Sequence, residues 1–304
     1  MHPFNLLVIL GPTATGKTRL AAALAHEQGG EILSADSRQV YRGLDIGAGK
    51  DLGEYTVNGQ KVPYHLIDEA DLDQEFSVFD FQRRFYEVFL KVSARHVLPV
   101  LVGGSGLYLD SVLMNYNLVA VPENPRLRAE LSGLSFEELK LRLAQVKRLH
   151  NISDFGSPER VIRAIEIADF QKNLPTRERP RVCPLILGIH VEHQLLRRRI
   201  HDRLQARLNQ GLIVEVEQLI KKGISEERLT SLGLEYRYVT GFLNGAIKSE
   251  DELALKLEGA ICQFARRQES WFRRMERKGI HIHWLEGADL ISARSVIKKY
   301  EIIT

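Results

Sequence analysis

The stretch Gly11-Pro12-Thr13-Ala14-Thr15-Gly16-Lys17-Thr18 fits the pattern G-x-x-x-x-G-K-[ST] and follows directly on an apolar run, Phe4 to Leu10. A strand that feeds such a loop into a helix leaves few folds open. The glycines let the backbone curl so that successive N–H groups face one anion, and a helix opening near Lys17 adds the positive end of its dipole. In that cradle Lys17 neutralises phosphate oxygens. The Thr18 hydroxyl is placed to complete the shell of a Mg²⁺ ion whose other ligands come from phosphate and water. Leu20, Ala21, Leu24 and Ala25 carry a helical apolar face behind the loop, the context that the motif requires.

The apolar runs Phe4–Leu10, Glu31–Ala35, Val97–Val102, Leu185–Val191 and Ile280–Leu285 read as strands. Between the second and third of these, Phe76, Phe79, Phe85, Phe89 and Val92 form one stripe of an amphipathic helix, with Arg83, Arg84, Glu87 and Lys91 outside it. Strands alternating with helices predict an α/β fold, a P-loop NTPase-like doubly wound parallel sheet. The alternation stops at 122–180, where only helical patterns occur. Ser135-Phe136-Glu137-Glu138 opens a capping-box helix to about Leu149, and Pro158 sits in the first turn of another. We therefore expect a core of 1–121 and 181–304 with an all-helical insertion. Long helices over Leu195–Lys222, Glu226–Asn244 and Ser249–Lys278 close the chain.

A net charge of +3 over 304 residues does not by itself establish a nucleic-acid partner. No apolar run approaches the ~20 residues of a membrane span. Cys183 and Cys262 lie far apart without metal-type spacing, as reduced, buried thiols of a cytoplasmic protein would. The chain starts straight into a strand with no leader pattern, so we expect a cytoplasmic location and no membrane contact.

In a doubly wound sheet ligands bind at the carboxyl ends of the strands. The P-loop follows the first strand, Asp36 and Ser37 the second, and Gly103-Gly104-Ser105-Gly106 the third, so these segments should meet. Asp36, a lone carboxylate beside the phosphate site, is a candidate general base or metal partner; the plainer reading is a turn cap. Gly103–Gly106 is either a second anion nest or a tight turn. No strand ends in the acidic pair of an ATP-hydrolysing site, and the amides of a P-loop accept any diphosphate with Mg²⁺. Arginines cluster at 197–199, 203 and 207, and again at 266, 267, 273, 274 and 277, the latter interleaved with Trp271 and Phe272. That second grouping suits a nucleic-acid or pyrophosphate surface. His281 and His283 read as one exposed strand face, and His65 as structural.

Taken in order, these blocks resemble the tRNA dimethylallyltransferase family. The carriers are 11–18, Ser-Ala-Asp-Ser-Arg-Gln-Val-Tyr-Arg-Gly at 34–43, Asp45-Ile46-Gly47, His65-Leu66-Ile67-Asp68, Val102 through Leu109, Pro158 through Glu166, and Arg266–Arg274. The resemblance implies transfer of a dimethylallyl group from dimethylallyl diphosphate to N6 of the adenosine 3′ of the tRNA anticodon, with diphosphate on Gly11–Thr18 and Mg²⁺ as cofactor. It makes Asp36 the catalytic base, Ser105 a hydroxyl facing tRNA, and Arg199 or Arg203 the arginine that reaches the diphosphate. It assigns tRNA contact to Asp36, Ser37, Arg38, Gln39, Glu159, Arg160, Arg163 and Arg237, and an anticodon stem-loop role to the insertion. A monomer is expected. Gly233–Tyr238 and Ile261–Gln263 depart from the family's pattern. The competing readings are an adenylate dimethylallyltransferase, a P-loop kinase of small molecules or nucleotides, and a non-catalytic RNA-binding protein.

Overall fold

The computed structural model describes residues 2–146, 157–171 and 179–302. The first apolar run is two strands, β1 (His2–Phe4) and β2 (Leu6–Leu10), because Asn5 turns its amide onto the neighbouring backbone. Its Nδ2 donates to Arg181 O at 2.9 Å and its Oδ1 accepts from Cys183 N–H at 2.7 Å. The chain continues through α1 (Lys17–Gln28), β3 (Glu31–Ala35), a short hairpin of β4 (Thr56–Val57) and β5 (Gln60–Lys61), and β6 (Tyr64–His65). Then come α2 (Val78–Ser93), β7 (Pro99–Gly103), α3 (Gly106–Leu113), α4 (Pro125–Ser132), α5 (Phe136–Val146) and α6 (Pro158–Gln171). Beyond these lie β8 (Pro184–His190), α7 (His193–Asn209), α8 (Leu212–Lys221), α9 (Glu226–Ser231), α10 (Leu234–Leu243), α11 (Glu250–Arg277), β9 (His283–Glu286), α12 (Leu290–Ile297) and β10 (Tyr300–Ile302).

Six strands form the central sheet in the order β6-β3-β7-β2-β8-β9, parallel throughout. Every residue of β2, β3 and β7 is buried, as expected of a parallel sheet covered on both faces. The order reverses direction around β2 and β7, which opens a crevice at their carboxyl ends. In α2, Phe81, Phe85, Val88, Phe89 and Val92 are buried, and Ser77 and Asp80 close the helix start as a capping box.

Two helices expected to run unbroken are each split by a glycine. Gly211, at φ +100, separates α7 from α8, and Gly233, at φ +151, separates α9 from α10. A side chain resists both conformations, and helical periodicity continued across each glycine, so the pattern alone does not show the breaks. The third long helix, α11, runs as expected, with Ser249 accepting from Glu252 N–H. Cys183 and Cys262 are free and only half-buried, not buried. No helix among the described residues is long and apolar enough to cross a membrane.

The chain divides into two compact units, Met1–Tyr116 with Pro180–Thr304, and Asn117–Arg179. In the smaller unit Leu131, Leu139, Leu143, Val161, Ala164 and Ile165 form a separate core. Buried Glu166 ties its helices together, bonding Arg128 at 2.7 Å, Arg163 at 2.9 Å and Asn124 N–H at 2.9 Å. Burial pushes the Glu166 carboxyl up, but these three donors prevail and hold it at about 2. The stretch 147–149, expected to extend α5, lies outside the described residues.

Candidate active site

The P-loop curls on itself as its sequence demands. Gly16, at φ +84, and Ala14, at φ +62, adopt left-handed conformations, and α1 starts at Lys17. Thr15 Oγ1 donates to Pro12 O at 2.9 Å, and Lys17 Nζ donates to the same oxygen at 3.2 Å. The loop is clamped from α11, where Gln268 Oε1 accepts the Thr13 N–H at 2.9 Å and its Nε2 donates to Gly104 O at 2.9 Å. Buried Gln268 thus joins the loop after β2 to the turn after β7. It sits inside an arginine-rich stretch that reads as surface, which is why the sequence does not single it out.

These segments enclose a cavity of about 570 Å³. Lys17 and Thr18 line it from the P-loop, Asp36 to Gln39 from the end of β3, Gly103 to Tyr108 from the β7–α3 turn, Arg203 and Arg207 from α7, and Phe264, Arg267 and Trp271 from α11. The departing segments line it too, through Gly233, Leu234, Glu235, Arg237 and Ile261. Glu159, Arg160 and Arg163 belong to the smaller unit: the first two are exposed, whereas Arg163 bonds Glu166 and donates to Val121 O at 2.6 Å.

Of the two arginines offered for a diphosphate, Arg203 faces the cavity and Arg199 does not line it. Arg203 Nη2 donates to Thr13 Oγ1. One turn further on, Arg207 is buried and lines the same cavity, with Asp51 at 3.7 Å and Glu235 at 3.5 Å. The i, i+4 spacing of 203 and 207 was the available signal for this second cation. Burial, then the charge of Arg203, lowers Lys17 to about 8; burial, then Arg207, lowers Arg203 to about 10. Three cations gathered out of water strain one another, and an anion bound among them relieves that strain.

Asp36 is half-buried, and its Oδ1 accepts the Arg38 N–H at 2.9 Å. The turn-cap reading therefore holds for one oxygen, while the residue still lines the cavity. Ser105 Oγ accepts the Ser37 N–H at 2.9 Å and lies 3.3 Å from Ser37 Oγ, so the segments after β3 and β7 are joined beside Asp36. Buried Gln39 bonds Ser34 at 2.9 Å and Gly49 O at 2.9 Å, a bracing role. Arg38 donates to Ser231 O at 3.2 Å, and exposed Arg237 stands at the rim.

The stretch 45–49 is held against the α-helical side by Glu215, which accepts the N–H groups of Asp45, Ile46 and Gly47 at 3.1, 2.7 and 3.1 Å. Buried Tyr236 donates to Glu215 at 2.8 Å and accepts from Ala48 N–H at 3.1 Å. Gly47 packs so closely on that ring that an added Cβ would stand 2.6 Å from Tyr236 Cζ. Gly47→Ala is expected to cost about 1–3 kcal/mol of stability, seen as a lowered Tm, because neither partner can move without breaking the bonds to Glu215. Elsewhere His65 bonds Glu31 at 2.8 Å and His283 bonds Tyr300 at 2.8 Å, both structural contacts.

Residues 39–275 match the family model described as IPP transferase. A tRNA dimethylallyltransferase 2 of Syntrophotalea carbinolica is 55% identical over 287 residues, 93% of this chain and 95% of that one. The crystal structure of the tRNA isopentenylpyrophosphate transferase of Bacillus halodurans is similar at 30% identity, with a TM-score of 0.69 over 97% of this chain and 94% of that one. A eukaryotic dimethylallyltransferase acting on tRNA shares the fold at 21% identity, TM-score 0.75, over 98% of this chain and 77% of its own. The match runs across nearly the whole length of the chain, and the protein belongs to the IPP transferase family.

Proposed function

We propose that the protein transfers the dimethylallyl group of dimethylallyl diphosphate to N6 of the adenosine 3′ of the anticodon in tRNA, releasing diphosphate. The observation that carries this reading is the meeting of the P-loop, Asp36 and the Arg203–Arg207 pair around one cavity. The diphosphate lies in the loop Gly11–Thr18 with Lys17 and Arg203 beside it. These cations stabilise the charge that builds as the allylic C–O bond breaks and its electron pair leaves with the diphosphate. N6 of adenine attacks the allylic carbon, the N–C bond forms, and Asp36 takes the N6 proton. Ser105, through Ser37, holds the segment that carries Asp36. The base leaves its stack to reach this depth, a cost of a few kcal/mol that a flexible anticodon loop keeps low.

Among the described residues no cluster of three or more His, Cys, Asp or Glu could hold a metal. Thr18, which lines the cavity beside Lys17, would give Mg²⁺ one hydroxyl ligand, the remaining ligands coming from the diphosphate and water. Bound there, Mg²⁺ would supply charge neutralisation of the leaving group. The helical unit 117–179 is the part we assign to the anticodon arm, and we place the protein in the cytoplasm as a monomer.

The test is incubation with Mg²⁺, labelled dimethylallyl diphosphate and either unmodified tRNA or AMP, followed by nucleoside mass analysis. Label on tRNA adenosine alone is the expected result. Label on AMP would instead make it a nucleotide prenyltransferase, and no label on either acceptor would overturn the prenyl-transfer reading.

A further inference from the structure

Trp271 is fixed more firmly than a cavity-lining ring needs to be for packing. Its Nε1–H donates to Asp110 Oδ2 at 3.0 Å, the guanidinium of Arg274 lies 3.9 Å over its ring, and Gly106 packs so close that the indole fills the place a Cβ would take. Asp110 is fully buried, with Arg274 at 3.6 Å and Lys278 at 3.9 Å. Among the described residues Asp110 Oδ1 and Arg274 Nε and Nη2 find no hydrogen-bond partner. Buried polar atoms left in this state are costly, and a fold keeps them where a placement matters.

The placement is specific. Gln268, one turn before Trp271 on the same helix, bonds the Thr13 N–H of the P-loop. The Trp271 backbone therefore stands about 4.5 Å further along the helix axis than that of Gln268, which touches the P-loop, and the indole lines the cavity beside it. An allylic chain anchored by its diphosphate on that floor reaches about as far. Gly106 and Arg274 occupy the ring surface, so the indole serves as a wall and not as a platform for stacking a base.

We infer that Trp271, positioned by Asp110 and Arg274, is the end wall that limits the transferred chain to a single five-carbon prenyl unit. This rests on the transfer activity proposed above. Asp110 acts through the indole and is a positioning residue.

The experiment is a competition between dimethylallyl and geranyl diphosphates for unmodified tRNA, reading the ratio of ten-carbon to five-carbon product by nucleoside mass, with thermal unfolding of each variant alongside. Trp271→Ala is expected to raise that ratio by at least about tenfold, since single methylenes in such pockets are discriminated by that much. Trp271→Phe, which keeps the helix packing filled, and Asp110→Ala, which frees the indole without removing it, are expected to raise it by smaller factors. An unchanged ratio in the folded variants overturns the inference, as does wild-type protein that uses both chains equally. Wild-type protein that transfers neither chain overturns the activity and this inference with it.

Discussion

Asp36→Asn is expected to lower kcat for transfer to tRNA by about 10²–10⁴-fold while the protein still folds and binds tRNA. The substitution isolates the chemistry because asparagine keeps an oxygen that can accept the Arg38 N–H, a bond of 2.9 Å, so the turn after β3 survives. What it removes is basicity. The exocyclic amine of adenine is a weak nucleophile, and as its nitrogen bonds to carbon it must shed a proton, which the carboxylate accepts and an amide does not. Single-turnover transfer measured beside tRNA binding separates the two roles of Asp36. A large drop in rate at unchanged affinity assigns the base. Retention of most of the rate would leave Asp36 as the turn cap that its hydrogen bond also describes.

The site was legible where chemistry follows sequence order. A P-loop announces itself by glycine spacing, and Asp36 and Ser105 follow from the rule that ligands sit at the carboxyl ends of strands, since each comes just after a run that reads as a strand. The doubly wound sheet emerged from the same alternation. What stayed hidden depends on contacts distant along the chain. Gln268 meets Thr13 and Gly104 from the far end of the sequence, and Glu215 with Tyr236 pins 45–48 from two helices that periodicity cannot aim. Choosing Arg203 over Arg199, and adding Arg207, required knowing which face of α7 turns inward. Asn5, Gly211 and Gly233 broke elements that hydrophobic patterns joined, because each acts through backbone geometry, to which an apolar count is blind.

Lys17→Met is expected to move ligand-free stability and diphosphate affinity in opposite directions. Burial and then Arg203 lower Lys17 to about 8 from an ordinary lysine value of 10.5. A lysine whose folded value is depressed binds its proton less tightly in the native state than in the unfolded chain. Stability therefore rises with pH between about 8 and 10.5, and at neutral pH the charged lysine is a net cost. Methionine removes that cost at similar length, so the ligand-free variant should melt at a higher temperature than wild type at pH 7. Inorganic diphosphate reverses the balance: its charge favours the protonated lysine, so binding above pH 8 should draw a proton from solution. Calorimetry at pH 8.5 in buffers of different ionisation enthalpy should find that uptake in the wild type, absent in Lys17→Met, together with a loss of affinity of about 100-fold. A variant that lost affinity yet still took up the proton would show that the uptake belongs to a group other than Lys17, and not to Arg203, which at about 10 already carries its proton at pH 8.5.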